Sequence, residues 1–298
     1  MLSILIPVYN YPCFPLVKEL AVQCEEAGIV FEILVMDDAS QHYLEENRNI
    51  KQLPGCRFLE STVNQGSGKS RNELSRMAMF SWLLMLDCDL EILDGQFIHR
   101  YLNQLGTADV LVGSVVYQLK KPSKANLLRW VYGRKRESLT TEKRNRNPWK
   151  SMSTPNLLIG KAVMEQVPFN EKVEGYGHED TLWGYALHSK HVRVKYINNP
   201  ILHNGLDTSE VFLKKSLVAV QKYFTPTFQS NKVLLKQIKI FAVYNQLQRF
   251  KVDKLVGFLY QLTEPMLKRN LLGASPMLVI FDFYRLGYLC TLKKNESI

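Results

Sequence analysis

Apolar residues in the first two-thirds of the chain fall into short blocks of two kinds. Ser3 to Val8, Phe31 to Met36, Arg57 to Thr62, Trp82 to Leu86, Val110 to Val116 and Val192 to Ile197 are compact runs that read as strands. Between them, Phe14 to Ala27, Gly68 to Met79, Gly95 to Leu105 and Thr181 to Leu187 read as helices. Parallel strands need crossovers, and helices supply them. The alternation therefore predicts an α/β fold of Rossmann-like character, with a mostly parallel central sheet flanked by helices. No internal repeat interrupts it. Lys120 to Lys150 lacks apolar periodicity apart from a helical turn at Leu127 to Tyr132, and reads as a long loop of the sort that closes over substrates.

Beyond Glu210 the pattern turns helical, which divides the chain into a body at residues 1–209 and a C-terminal extension at 210–298. Lys232, Lys236 and Lys239 recur at helical spacing beside Val233, Leu234, Ile238, Phe241 and Ala242, and predict a basic amphipathic helix. The densest apolar run, Pro276 to Leu292, is broken by Asp282 and Arg285 and is too short and too polar to span a bilayer.

Charge sharpens this division. The net charge is +10 over 298 residues, yet Met1 to Glu210 is neutral. From Val211 onward 14 Lys or Arg stand against Asp253, Glu264, Asp282 and Glu296. An anionic partner for the extension follows, either a membrane surface or nucleic acid; a solvated helical subdomain is the plain structural alternative. No zinc, helix-turn-helix or RNA-binding motif is present, and the lysines alternate with aliphatic rather than aromatic residues, so no nucleic acid is expected. The five cysteines are scattered without a Cys-x-x-Cys pair, which fits a reducing compartment. The chain enters a strand at Leu2 with no basic leader. The expectation is a cytoplasmic protein, with the inner face of the cell membrane as a further site through the basic extension.

Chemistry concentrates where strands end. The parallel strands of one sheet finish on one edge, and there the sequence places Pro7-Val8-Tyr9-Asn10, Asp37-Asp38-Ala39-Ser40 and Asp87-Cys88-Asp89. Two carboxylates one residue apart suit a divalent ion on a diphosphate, although an Asp-x-Asp also caps helices. Asn64-Gln65-Gly66-Ser67-Gly68-Lys69-Ser70-Arg71-Asn72 turns into a helix, whose N-terminus and Arg71 favour phosphate charge. Gly68-Lys69-Ser70 looks like the end of a P-loop, but position 63 is Val63, which rules out that motif. Farther on, Gly177-His178-Glu179-Asp180 opens a helix. Carboxylates there serve as caps or as a base that takes a proton from a sugar hydroxyl. Trp149, Tyr176 and Trp183 are aromatic surfaces for a sugar ring or plain core.

These segments, in this order and spacing, resemble family 2 glycosyltransferases of the GT-A fold, from Ser3-Ile4-Leu5-Ile6-Pro7-Val8-Tyr9-Asn10 through the Asp-x-Asp to Gly175-Tyr176-Gly177-His178-Glu179-Asp180. The resemblance covers residues 1–207. It implies an inverting transfer of a hexose or N-acetylhexosamine from a nucleotide sugar, with UDP as the carrier, to a glycan or lipid-linked hydroxyl, as in bacterial polysaccharide assembly. By the same resemblance, Pro7, Tyr9, Asn10, Asp38, Asn64, Gly68, Arg71, Asp87 and Cys88 hold the donor. Asp87, Asp89 and His203 hold a metal. Such oxygen-rich ligands with a single imidazole point to Mn²⁺ or Mg²⁺ rather than zinc. Asp180 is the implied general base, with Glu179 beside it, and the same pattern sets Thr154-Pro155-Asn156 in a strand leading to the acceptor; Tyr176, His178 and Trp183 are acceptor-side candidates by their chemistry, with packing as the alternative. The competing chemistry is nucleotidyl transfer on sugar phosphates, which would put a Gly-rich, Arg- and Lys-bearing loop after the first strand, where this chain has Tyr9-Asn10-Tyr11-Pro12.

Overall fold

The structure, a computed structural model, describes residues 1–171 and 177–292; Tyr176 lies outside them. The chain divides into two compact units. One comprises Met1–Gln118, Glu137–Glu174 and Glu179–Gly205; the other comprises Leu119–Arg136, Gly175–His178 and Leu206–Ile298.

The first unit is built on β1 (Leu2–Val8), β2 (Phe31–Asp37), β3 (Cys56–Glu60), β4 (Trp82–Leu86), β5 (Leu90–Ile92), β6 (Val110–Val116), β7 (Asn156–Gly160) and β8 (Val194–His203). They form one sheet in the order β3-β2-β1-β4-β7-β6-β8-β5. Every residue of β1 is buried, as expected of a strand covered on both faces. The polar Ser3 within it is satisfied by donating to the buried Glu32 carboxylate at 2.6 Å. β3, β2, β1 and β4 run parallel. β7 reverses direction between β4 and β6, and β5 is antiparallel to β8.

Two pairings matter for the site. Because β1, β2 and β4 point the same way, the segments after Val8, Asp37 and Leu86 leave the sheet at one edge. The β5–β8 pairing sets Leu90 opposite His203, which brings that histidine to the residue after Asp89.

The second unit is helical. Leu213 and Phe212 of the helix Ser209–Gln221 share a core with Leu128, Tyr260, Leu267, Leu271, Phe281 and Tyr284. This explains why Leu119–Arg136, expected to be a loop of the body, groups here instead: Tyr132 on the helix Leu127–Tyr132 rests on the rings of Phe212 and Phe281. The helices Asp253–Leu271 and Leu278–Thr291 meet at Gly287, where a Cβ would lie 2.5 Å from Tyr260 Cβ. Only glycine permits that approach.

The predicted basic helix is corrected here. One helix runs Lys232–Gln237 and a separate one Lys239–Arg249, with Ile238 extended between them, so Lys239 does not continue the stripe of Lys232 and Lys236. Among the described residues, no helix is long and apolar enough to cross a membrane.

Candidate active site

The loops at the sheet edge are fastened by the polar residues that the sequence offered as donor ligands. Asp38 is buried, and its two carboxylate oxygens accept the N–H groups of Gln65 and Gly66, each at 2.8 Å. Asn10 adopts a left-handed backbone, and its side-chain oxygen accepts from the N–H groups of Gln41 (2.8 Å) and His42 (3.1 Å). Both residues shape loops rather than project into solvent. Pro7 is buried within β1. Tyr9 and Asn64 are exposed at the edge, where an aromatic face and an amide remain accessible.

The centre of the site is Arg71, on the helix Ser67–Met77. It is 4% exposed, and its Nη2 donates to Asp87 Oδ1. Burial alone would lower the pKa of a guanidinium; here the charges of Asp87 and Asp180 outweigh burial and raise it. The guanidinium lies 5.5 Å from the centre of the Phe169 ring, and Phe169 stacks at 4.5 Å on Trp183. Asn72 pins Phe169, accepting its N–H and donating to its carbonyl, both at 2.9 Å. Arg71 thus rests on a built pedestal. In this structure its side chain is covered and its charge is shared between Asp87 and Asp180.

Asp180 stands in the first turn of the helix Glu179–Ser189. Thr154 donates to it twice, from its hydroxyl at 2.8 Å and its N–H at 3.3 Å. Thr154 is brought there by strand pairing, since the β4–β7 ladder continues as Asp87 N–H donating to Pro155 carbonyl at 3.1 Å. Although half-buried by surface area, Asp180 is densely surrounded, and desolvation raises its pKa to about 6 against the opposing pull of Arg71 and Thr154. A carboxylate so tuned is deprotonated at neutral pH and still basic enough to accept a proton. Its neighbour Glu179 accepts from the Ser67 hydroxyl at 3.1 Å, and Gly68 backs on to Phe169 and Glu179.

Asp89 and His203 form the second group. Asp89 Oδ2 lies 3.4 Å from His203 Nε2, both side chains keeping some exposure. The His203 ring stacks on Tyr117 at 5.4 Å, and its buried Nδ1 has no hydrogen-bond partner among the described residues. Gly205 completes the geometry, for a Cβ there would fall 2.0 Å from Asp89 Oδ2. Among the described residues no three His, Cys, Asp or Glu side chains form a metal-holding group. The pair nevertheless fits a divalent ion of the Mn²⁺ or Mg²⁺ kind, which takes one or two protein ligands and fills its shell with water and substrate phosphate. Asp87 gives one oxygen to Arg71 and remains 29% exposed. Substituting Gly205→Ala should push Asp89 aside; the expected result is loss of the Mn²⁺-dependent part of nucleotide affinity, read by titration calorimetry with and without the ion, while nucleotide binding without metal persists.

Around this pair, desolvation and then the Asp89 charge raise the pKa of Tyr11, and desolvation with Asp89 and Asp87 holds the Cys88 thiol well above its ordinary value. Cys88 is therefore a neutral thiol beside the acids.

Three of the acceptor candidates have interior surroundings. Asn156 is buried, accepts from the Tyr101 hydroxyl at 2.7 Å and donates to the Asn199 carbonyl at 3.0 Å. Trp183 is buried beneath Phe169, its indole N–H on the Val167 carbonyl at 2.8 Å. Both side chains are closed off from solvent, and Trp183 takes the core alternative of the sequence reading. His178 lies in the helical unit against Tyr223 and Phe228, where desolvation, Arg285 and Lys222 depress its pKa to about 3, leaving a neutral imidazole. Sequence reasoning gave no role to Thr154, Tyr117 or Gly205. Only Thr154 had a signal, adjacent as it is to the Pro155-Asn156 segment.

The sequence model of glycosyl transferase family 2 matches residues 3–166, more than half of the chain, and the chain belongs to that family. Solved structures share its GT-A fold. These include Staphylococcus aureus TarS residues 1–349 (TM-score 0.50, 18% identity, 75% of this chain and 65% of that one). The mannosyltransferase PcManGT from Pyrobaculum calidifontis, in complex with GDP-Man and Mn²⁺, is similar at a TM-score of 0.50 and 16% identity over 74% of this chain and 62% of that one. The chain thus spans less than two-thirds of the length of these solved chains. Curated proteins yield no sequence match.

Proposed function

We propose that the protein is an inverting glycosyltransferase that moves a hexose or N-acetylhexosamine from a UDP-sugar to a hydroxyl of a glycan or lipid-linked acceptor. The observation that supports this most is the position of Arg71, whose buried charge is felt by both Asp87 and Asp180. On this reading the Asp-x-Asp turn and the Glu-Asp turn, 90 residues apart, belong to one reaction centre. Asp180, held by Thr154, takes the proton from the attacking hydroxyl. The exposed Tyr9 ring offers a stacking face for the base, and Asp38 keeps the loop at Gln65–Gly66 in place beside it. Asp89 and His203 would hold Mn²⁺ or Mg²⁺, which neutralises charge developing on the leaving diphosphate. The mannosyltransferase in the comparison binds GDP-Man and Mn²⁺, which makes the choice of nucleotide the first thing to measure.

A thermal-shift series with UDP, GDP and their sugars, with and without Mn²⁺, tests the donor. The expected outcome is a rise in melting temperature with UDP compounds, enlarged by the ion, and none with GDP compounds. Turnover should then release nucleoside diphosphate. Release of pyrophosphate from a nucleoside triphosphate and a sugar phosphate would replace this reading with nucleotidyl transfer.

A further inference from the structure

The helix Asp253–Leu271 carries apolar residues on two opposite faces. Tyr260, Leu267 and Leu271 turn inward and join Phe281 and Tyr284 in the core of the helical unit. Leu255, Phe258, Leu259, Leu262 and Met266 turn outward and are 42 to 68% exposed. Spacings of three and four put these five on one stripe, opposite the buried face and about 16 Å long at 1.5 Å per residue. A helix with one side on a core ordinarily shows polar residues on the other. Single exposed apolar side chains need no explanation, whereas a continuous row of large ones marks a contact surface.

Charge says what kind of contact. Lys251 and Lys254 stand at one end of the row, Lys268 and Arg269 at the other, and none of the four forms an ion pair among the described residues. Acids keep off the stripe. Glu264 accepts from the Tyr284 hydroxyl at 3.0 Å on the inner side, and Asp253 is half-buried in the first turn. A second copy of the chain is a poor occupant, because pairing two such stripes in either direction sets cations against cations. A bilayer with anionic headgroups supplies both what the row lacks and what its ends attract.

We propose that this face of Asp253–Leu271 is a membrane-contact surface: the helix lies in the plane of an anionic bilayer, its apolar row at the boundary of headgroups and acyl chains and its basic ends against lipid phosphates. The surface differs from the lysine stripe that the periodicity suggested, which the break at Ile238 divides. It does not depend on the transfer reading, since binding is measured without donor or acceptor.

The test is co-sedimentation of the full chain with phosphatidylcholine vesicles that contain about one quarter phosphatidylglycerol, beside pure phosphatidylcholine vesicles. Binding is expected to the anionic vesicles, weakening as salt rises. The double substitution Phe258→Glu and Leu262→Glu should lower the partition coefficient by about tenfold or more. Both sites are exposed, and circular dichroism will report that the fold is kept. As an independent readout, Leu262→Trp should add fluorescence that shifts to the blue with anionic vesicles. Absence of binding and of the blue shift overturns the proposal, as does binding that the double substitution leaves unchanged. A dimer seen by sedimentation velocity and dissolved by the double substitution, without vesicle binding, would assign the face to a second copy instead.

Discussion

Asp180→Asn is expected to reduce kcat by about 10³-fold while leaving donor affinity within a small factor of the wild type, because a general base contributes in that range and the substituted amide cannot take the proton. Steady-state rates and a donor titration measure both. The wild-type rate should itself fall as pH drops through about 6, where Asp180 becomes protonated, and level off above it. Stability runs the other way. An acid whose folded pKa is raised from 3.8 to about 6 contributes fully to stability below 3.8 and loses that contribution as pH climbs through 6. At neutral pH the ionised carboxylate therefore costs on the order of 3 kcal/mol. Asp180→Asn removes that cost, so the inactive variant should melt several degrees higher at pH 7.5 and no higher near pH 4. A variant that is less stable but keeps its kcat when folded would mean that Asp180 is a structural cap and nothing more.

That such a tuned acid could be suspected from sequence, while its tuning could not, illustrates how legibility divides in this chain. Strands buried on both faces announce themselves as uninterrupted apolar runs. Trp82 to Leu86 and Val110 to Val116 have the expected boundaries, and Ser3 to Val8 begins one residue earlier. The reversed strand Asn156–Gly160 and the three-residue Leu90–Ile92 were not read from periodicity, since runs so short fit several templates and only tertiary pairing decides their direction. The α/β class and the helical C-terminal region followed from patterning, because burial writes a period into sequence. The break at Ile238 did not, for the apolar spacing continues across it.

The site shows the same division. The place of Asp38 and Asp87 just after strand ends was readable from the pattern of apolar runs. Which polar group faces inward was not. Asp38 is turned to loop amides, Arg71 is covered, and Trp183 supports Phe169 from below. Each of these depends on contacts between segments distant in sequence, such as the 26 residues from Thr154 to Asp180 or the 97 from Asn72 to Phe169. Strain and close approach are equally silent: Gly205 is an ordinary loop glycine until Asp89 is found where its Cβ would stand.

Arg71 acts on both acids of the site, and Arg71→Met is expected to have the largest effect on stability. Removing one member of a buried ion pair costs about 3–5 kcal/mol because its partner is left uncompensated. The lower end applies here, since Asp87 is 29% exposed and can turn to water. A loss of about 3 kcal/mol would lower the melting temperature by roughly 10 °C in a unit of this size. The substitution also lifts a restraint on the base. Arg71 holds the Asp180 pKa down against desolvation, so without it the acid limb of the pH–rate profile should move upward from about 6, and more of the enzyme will carry a protonated Asp180 at neutral pH. Arg71→Lys keeps the charge but loses the planar fork on Phe169, and should show a smaller shift in the same direction. If Arg71 instead gripped the diphosphate directly, both variants would weaken donor binding and leave the pH profile where it was. The profile thus separates a residue that positions and tunes the acids from one that holds substrate.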